Sequence, residues 1–296
     1  PWRQFALVEF IRPRFPVDWA KLPRIVARLS PQRTDTNKNI LMIEQVKTIA
    51  REAGKAALKF YEGDAGVELK ADQSPLTLAD LASHKFICAS LRELDSSIPI
   101  LSEESEPAEV ADRRNWSRFW LIDPLDGTKE FIKKSGEFTV NIALIDGPSS
   151  VLGVVHAPVL ELTYSGERGM GAFKQIEGAE AEAIKVATAD PARLSIVASR
   201  DHAGPQVKEL LERFPGAETR SMGSSLKFCL VAEGKADIYL RDVPTMEWDT
   251  GAAHCVVEAA GGAVENLSGE RLTYNKEDLC NPSLVTFGDA SFDWRG

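Results

Sequence analysis

Four cysteines and four histidines are all that the 296 residues contain. Cys88, Cys229, Cys255 and Cys280 are scattered without a C-x-x-C pair, which argues against a disulfide framework or a cysteine-held zinc. Cys229 and Cys255 fall inside apolar helical patterns, where a thiol behaves as a small hydrophobe. The histidines show no H-E-x-x-H spacing, so zinc hydrolase chemistry has no support. No apolar run approaches the ~20 residues that cross a bilayer, and no integral membrane span is expected. Positive charge is also short, with 35 Lys and Arg against 44 Asp and Glu, a net of −9. That balance excludes binding of a nucleic acid polymer through bulk charge. Hydrophobic residues at 44% leave ample material for a core and exclude intrinsic disorder of the whole chain.

The charge is unevenly placed. Residues 1–39 hold eight Lys or Arg against Glu9, Asp18 and Asp35, together with five prolines. Their net of +5 leaves −14 for residues 40–296. Arg3 and Glu9 interrupt the one stretch that could serve as the apolar centre of a secretory signal. This basic segment is expected to lie outside the fold. The cytoplasm is the default compartment, with organellar targeting or peripheral inner-membrane association through the extension left open.

The fold is expected to begin near Ile40. Ile43, Val46, Ile49, Ala50, Ala53, Ala57 and Phe60 recur at helical spacing before Gly63. A second helix is expected from Thr77–Asp80 to Leu94. Trp120-Leu121-Ile122 reads as a buried strand that ends at Asp123-Pro124, and 139–145 and 151–156 read as strands joined by Asp146-Gly147-Pro148. Further strands are expected at 195–198, 237–241 and 284–287, with helices at 205–213, 224–233 and 248–260. Interleaved strands and helices imply a layered α+β architecture. Residues 40–158 would form an N-terminal part and 159–296 a C-terminal part.

The chemistry concentrates in short acidic segments. In Asp123-Pro124-Leu125-Asp126-Gly127-Thr128, a strand delivers Asp123 to its end and Asp126 can return toward the same point. Gly127 permits close backbone approach, and Thr128 stands at the start of a following helix, where free N–H groups suit a phosphate. Two hard carboxylates beside such a cradle meet the requirements of Mg²⁺. Glu103, in Leu101-Ser102-Glu103-Glu104-Ser105, sits at another strand end. Asp249 opens an apolar helix, and Asp80 offers a further acid. Taken singly, each has a plainer reading: Asp126-Gly127 as a turn, Asp249 and Asp80 as helix N-caps, Glu103-Glu104 as a solvated pair.

Taken together and in this order, the segments resemble the lithium-sensitive, magnesium-dependent phosphatases, a superfamily of inositol monophosphatases, fructose bisphosphatases and 3′(2′),5′-bisphosphate nucleotidases. The resemblance covers about residues 40–296. Within it, Lys129-Glu130-Phe131, the run Gly223–Tyr239, Pro244–Thr250 and Asn281-Pro282 are similar to the CysQ-type nucleotidase branch. The resemblance implies a layered α-β-α-β-α sandwich and two Mg²⁺ ions, or three. Glu103, Asp123 and the Leu125 carbonyl would hold one ion, and Asp123, Asp126 and Asp249 a second. Asp80 and Thr128 would activate water, while the Gly127 and Thr128 N–H groups bind phosphoryl oxygens. His202, Ser224, Lys227 and Arg241 would contact a small nucleotide bisphosphate.

The implied reaction removes the 3′(2′)-phosphate of adenosine 3′(2′),5′-bisphosphate, or of its sulfated precursor, to give AMP in the former case. Alone, His202 reads as a surface residue and Lys227 as a solvated helix lysine. The rivals are an inositol monophosphatase or sugar bisphosphatase of the same fold and, more remotely, a non-catalytic metal or nucleotide sensor. Whether the protein is a monomer or a homodimer stays open. A purely structural role is disfavoured, because clustering this many acids without a cation costs several kcal/mol.

Overall fold

In the computed structural model, the described residues are 35–63, 66, 68–69, 75–198 and 204–295. The first helix, α1 (Asp35–Leu58), starts five residues ahead of Ile40, and Val46, Ile49, Ala50, Ala53 and Ala57 form its buried stripe. A short ladder of β1 (Glu68–Leu69) and β2 (Pro75–Leu76) leads to α2 (Leu78–Leu94). There follow β3 (Ile100–Ser102), β4 (Arg118–Asp126), α3 (Thr128–Ile132), β5 (Thr139–Asp146) and β6 (Ser149–Ala157). Next come β7 (Leu162–Glu167), β8 (Gly171–Ile176), β9 (Glu182–Ile184), β10 (Ser195–Val197), α4 (Pro205–Arg213) and β11 (Glu218–Arg220). The chain closes with α5 (Leu226–Ala232), β12 (Ile238–Arg241), β13 (Thr245–Met246), α6 (Glu247–Ala259), β14 (Ala263–Asn266), β15 (Cys280–Asn281) and β16 (Leu284–Phe287).

Seven strands form one sheet in the simple order β3 to β9, with β3 parallel to β4 and every later pair antiparallel. Five strands form the second sheet, in the order β11-β10-β12-β16-β14. The larger sheet draws on both sides of position 158, since β7 to β9 continue it to Ile184. Along β4 the side chains alternate. Trp120 and Ile122 face α1 and α2, whereas Phe119 and Leu121 belong to the cluster formed with α5 and α6. Burial on both faces explains the continuous apolar run there. The cluster containing α5 and α6 also includes Val197, Tyr239, Val264 and Leu284 of the second sheet. The other face of that sheet packs on Val207 and Leu210 of α4. Helices, sheet, helices, sheet and helix therefore stack as the five expected layers, the arrangement of the inositol monophosphatase-like fold.

Strands β7 to β9 are absent from the sequence-based expectation for a physical reason. Thr163, Ser165 and Glu167 interrupt the apolar pattern of β7 yet are buried, and Thr163 Oγ1 lies 3.0 Å from His156 Nδ1. Hydrogen bonding inside the sheet accommodates polarity that reads as loop in one dimension. Among the described residues no helix is long and apolar enough to cross a membrane.

Helix α6 rests on the large sheet by direct backbone approach. A Cβ added at Gly153 would meet the Ala252 carbonyl oxygen at 2.1 Å, and one at Gly166 would meet Val256 Cα at 2.8 Å. Backbone on both sides leaves no side chain to yield. Gly153→Ala is expected to lower stability by about 1–3 kcal/mol or more through overpacking, read as a reduced urea midpoint with unchanged slope.

Candidate functional site

The site forms where β3, β4 and α6 end together. Strand β4 breaks register with β5 between Asp123, opposite Asn141, and Asp126, opposite Thr139. Pro124 cannot donate to the ladder, so the bulge falls there and brings both acids to the end of the strand. Leu125 is driven into a cluster with Tyr61, Phe131 and Phe138, which fixes the bulge from below. Glu103 follows β3, and its N–H donates to the Ile122 carbonyl at 3.1 Å, placing it beside Asp123.

Asp249 and Asp80 are both third residues of their helices, not the N-caps that each would suggest alone. Asp249 Oδ2 accepts the Met246 N–H at 2.8 Å. Asp80 Oδ2 accepts the Thr77 N–H at 2.8 Å and the Thr77 hydroxyl at 2.5 Å, in a capping box where Thr77 is the cap. The same device thus locks two carboxylates by one oxygen each.

Glu103, Asp123 and Asp249 offer carboxylate oxygens that all lie within 4.8 Å of one another. Burial pushes Asp123 well above the usual carboxylate range, and the charges of Glu103, Asp126 and Asp249 push it further. Asp249 is displaced in the same direction by desolvation, Asp126 and Glu103. Neither Asp123 nor Asp249 forms an ion pair with a described residue. An all-oxygen donor set under mutual repulsion fits a hard divalent cation, which would remove the cause of the displacement.

Asp126 stands outside that trio and is held differently. Its Oδ2 accepts from Ser224 Oγ at 2.6 Å, Ser225 Oγ at 2.7 Å and Ser225 N at 2.7 Å, with Asn141 Nδ2 at 3.4 Å. Ser224 adopts φ +55, a left-handed conformation rare outside glycine, and its hydroxyl also lies 2.6 Å from Thr139 Oγ1. Ser225 Oγ lies 2.9 Å from the Asp249 carbonyl as well, so its single proton can serve either Asp126 or α6. Ser225, Asn141, Thr139 and Thr77 do not figure among the sequence-based site residues. A serine or asparagine alone carries no signal of which distant acid it will hold.

Gly127 has φ +93 and caps α3, whose first residue is Thr128. The Thr128 hydroxyl is 3.5 Å from both Asp80 Oδ1 and the Leu125 carbonyl, long enough to leave it uncommitted. A cleft of about 250 Å³ extends from Asp126, Gly127 and Asp249 to a wall that includes Lys227, Tyr239 and Arg241. Lys227 is buried, donates to the Met222 carbonyl at 3.3 Å and sits 5.8 Å over the Tyr239 ring. Desolvation pushes its ammonium down to about 8, partly opposed by Asp126. Arg241 Nε donates to the Val243 carbonyl at 3.3 Å. The structure therefore brings together every sequence-predicted residue except His202, which lies outside the described residues.

The chain matches the inositol monophosphatase family over residues 40–287. It is 49% identical over 247 residues to the 3′(2′),5′-bisphosphate nucleotidase CysQ of Escherichia coli K12, covering 82% of this chain and 98% of that protein. The protein of the same description from Haemophilus influenzae is 40% identical over 256 residues, covering 86% and 95%. Among solved structures, CysQ from Bacteroides thetaiotaomicron superposes with a TM-score of 0.74 at 41% identity, covering 86% and 98%. The Anabaena inositol monophosphatase, at 23% identity and a TM-score of 0.68 with 86% and 92% covered, shares the fold.

The repulsion at the carboxylate trio has a measurable signature. Added Mg²⁺ should raise the thermal midpoint, by an amount equivalent to about 2.7 kcal/mol at one hundred times Kd, and a chelator should reverse it. Asp123→Asn should remove the Mg²⁺ response while making the metal-free protein more stable than the parent.

Proposed function

The chain belongs to the inositol monophosphatase family, and we propose that within it the protein is a Mg²⁺-dependent 3′(2′),5′-bisphosphate nucleotidase. It would release the 3′(2′)-phosphate of adenosine 3′(2′),5′-bisphosphate and leave AMP. The observation that carries this reading is the cleft itself. Asp126 and Asp249 line it together with cationic side chains, Lys227 and Arg241 as well as Lys129 and Lys133, and with Glu130 and Glu137. A substrate with one phosphate needs only the carboxylates and the cation they would hold. A substrate with two phosphates uses the cationic side chains as well. The identity to proteins described as bisphosphate nucleotidases supports the same assignment.

Glu103, Asp123, Asp126 and Asp249, with the Leu125 carbonyl, would hold Mg²⁺, as two ions or three. When bound, Mg²⁺ draws negative charge from phosphoryl oxygens and makes water a stronger acid. The remaining work belongs to the chain. Asp80 is fixed through Oδ2 by Thr77, so Oδ1 faces the Thr128 hydroxyl. Thr128 Oγ1 orients the attacking water, and Asp80 Oδ1 takes its proton. The N–H groups of Gly127 and Thr128 bind the phosphoryl oxygens without needing to reorganise. Lys227 and Arg241 bind the second phosphate, Arg241 through its planar fork. Tyr239 holds Lys227 in place by its ring.

A substrate panel with Mg²⁺ tests the assignment: kcat/KM for adenosine 3′,5′-bisphosphate should exceed that for inositol 1-phosphate by more than tenfold. A tenfold preference in the other direction would reassign the protein to inositol phosphate hydrolysis. Lys227 adds a pH dependence whose sign follows from its displaced ammonium, which is charged below about 8 and neutral above it. KM for the bisphosphate should therefore rise between pH 7 and pH 9, and Lys227→Met should flatten that rise and raise KM at pH 7.

A further inference from the structure

Asp123 and Asp249 come from elements far apart in sequence, and a third segment joins the turn that leads into β4 to the start of α6. The stretch from Glu103 to β4 ends in a 3₁₀ turn, Arg113–Asn115. That turn is bonded to Asn275. The Arg113 guanidinium donates to Asn275 Oδ1 at 3.0 Å and to the carbonyls of Lys276 at 2.7 Å and Glu277 at 2.8 Å. Asn275 Nδ2 returns two bonds, to the carbonyls of Arg113 at 2.9 Å and Trp116 at 3.2 Å. Arg114 also donates to the Asn275 carbonyl.

The other side of Asn275 faces α6. Its N–H donates to Glu247 Oε2 at 2.7 Å, while Lys276 donates to Oε1 through its N–H at 2.9 Å and its ammonium at 2.7 Å. Glu247 is fully buried, is the first residue of α6 and stands two residues before Asp249. Lys276 also reaches Asn281 Oδ1 at 3.2 Å, and Asn281 Nδ2 donates to the carbonyl of Met246, the α6 cap, at 2.8 Å. The side chain of Asn275 thus grips the turn that leads into β4 while its backbone grips the helix that carries Asp249. It does so at φ +64, a conformation that asparagine tolerates and most residues do not.

We propose that Asn275 is a positioning residue for the divalent cation: it sets the place of the Asp249 carboxylate against β4, which carries Asp123, and so the Mg²⁺ affinity, without touching the ion. The inference rests on the reading that these carboxylates hold Mg²⁺. A buried Glu247 clamp with no such purpose would stabilise the loop and leave ion affinity unchanged. The arrangement instead joins the turn that leads into β4 to the first residue of α6.

The test is calorimetric titration of the full chain with Mg²⁺ in the absence of substrate, alongside urea unfolding of the metal-free protein. Asn275→Gly keeps the left-handed backbone, the link to Glu247 and the carbonyl contacts with Arg113 and Arg114, but deletes the three side-chain bonds to the 113–116 turn. It should weaken Mg²⁺ binding about tenfold, equivalent to about 1.4 kcal/mol. KM for Mg²⁺ should rise in parallel, and kcat at saturating Mg²⁺ should stay within about twofold of the parent. Asn275→Asp, which keeps the contact with the Arg113 guanidinium, should recover part of the affinity. Arg113→Gln loosens the same junction from the opposite side and serves if Asn275→Gly does not fold. Lowered stability with unchanged Mg²⁺ affinity in either variant would overturn the proposal. A parent protein that binds no Mg²⁺ would instead overturn the metal assignment, and the proposal with it.

Discussion

Bringing like charges together in a place that water hardly reaches is the constraint on which this structure is organised. Asp123 is buried, Asp249 and Glu103 point at it, and Asp126 adds its field from the side. Left to themselves, such groups would swing apart or take up protons. Each is held by something stiffer than a side-chain rotamer. Asp123 is set by a strand that cannot continue past proline, and Asp249 by the first turn of a helix. Asp126 is gripped by four donors on one oxygen. The fold supplies the rigidity that electrostatics alone would defeat, and the stored repulsion becomes affinity for a cation.

The second half of the site obeys a different rule. Lys227 is buried on an apolar helix, stacked on Tyr239 and bonded to a single carbonyl, with Asp126, Glu130 and Glu137 near enough to favour its charge. Desolvation favours the neutral form of its amine, and an anion beside it would oppose that shift. The cleft is lined by both signs of charge, Asp126 and Asp249 as well as Lys227 and Arg241, a mixture that the acidic sum of the chain conceals.

What could be read in the sequence follows from how locally each feature is encoded. The Asp123–Thr128 segment carries its own geometry: an apolar strand, a proline that ends pairing, and a glycine that turns. Its structure was therefore legible, as were the helices with a single apolar stripe. The support for Asp126 was not. Ser224 and Ser225 lie about a hundred residues away, and nothing in their neighbourhood signals an acid to be held. Strand β7 escaped because Thr163 bonds its hydroxyl to His156 within a buried sheet where Ser165 is buried as well, and alternation cannot distinguish that from exposure. The roles of Asp80 and Asp249 as third residues depended on where each helix begins, and a shift of three residues exchanges a cap for the carboxylate that answers it.

The glycines under α6 give the site an unusual kind of reference point. Because Gly153 and Gly166 bring the sheet backbone against the helix backbone, the height of Asp249 above the sheet is gauged by main chain on main chain. The volumes of the apolar side chains around it matter less. Volume-keeping exchanges among the apolar side chains around it would leave the carboxylate at its station. Such a protein can tolerate broad change in its core composition and still present the same cation-binding geometry, much as a machine bed keeps its datum while the fittings are replaced.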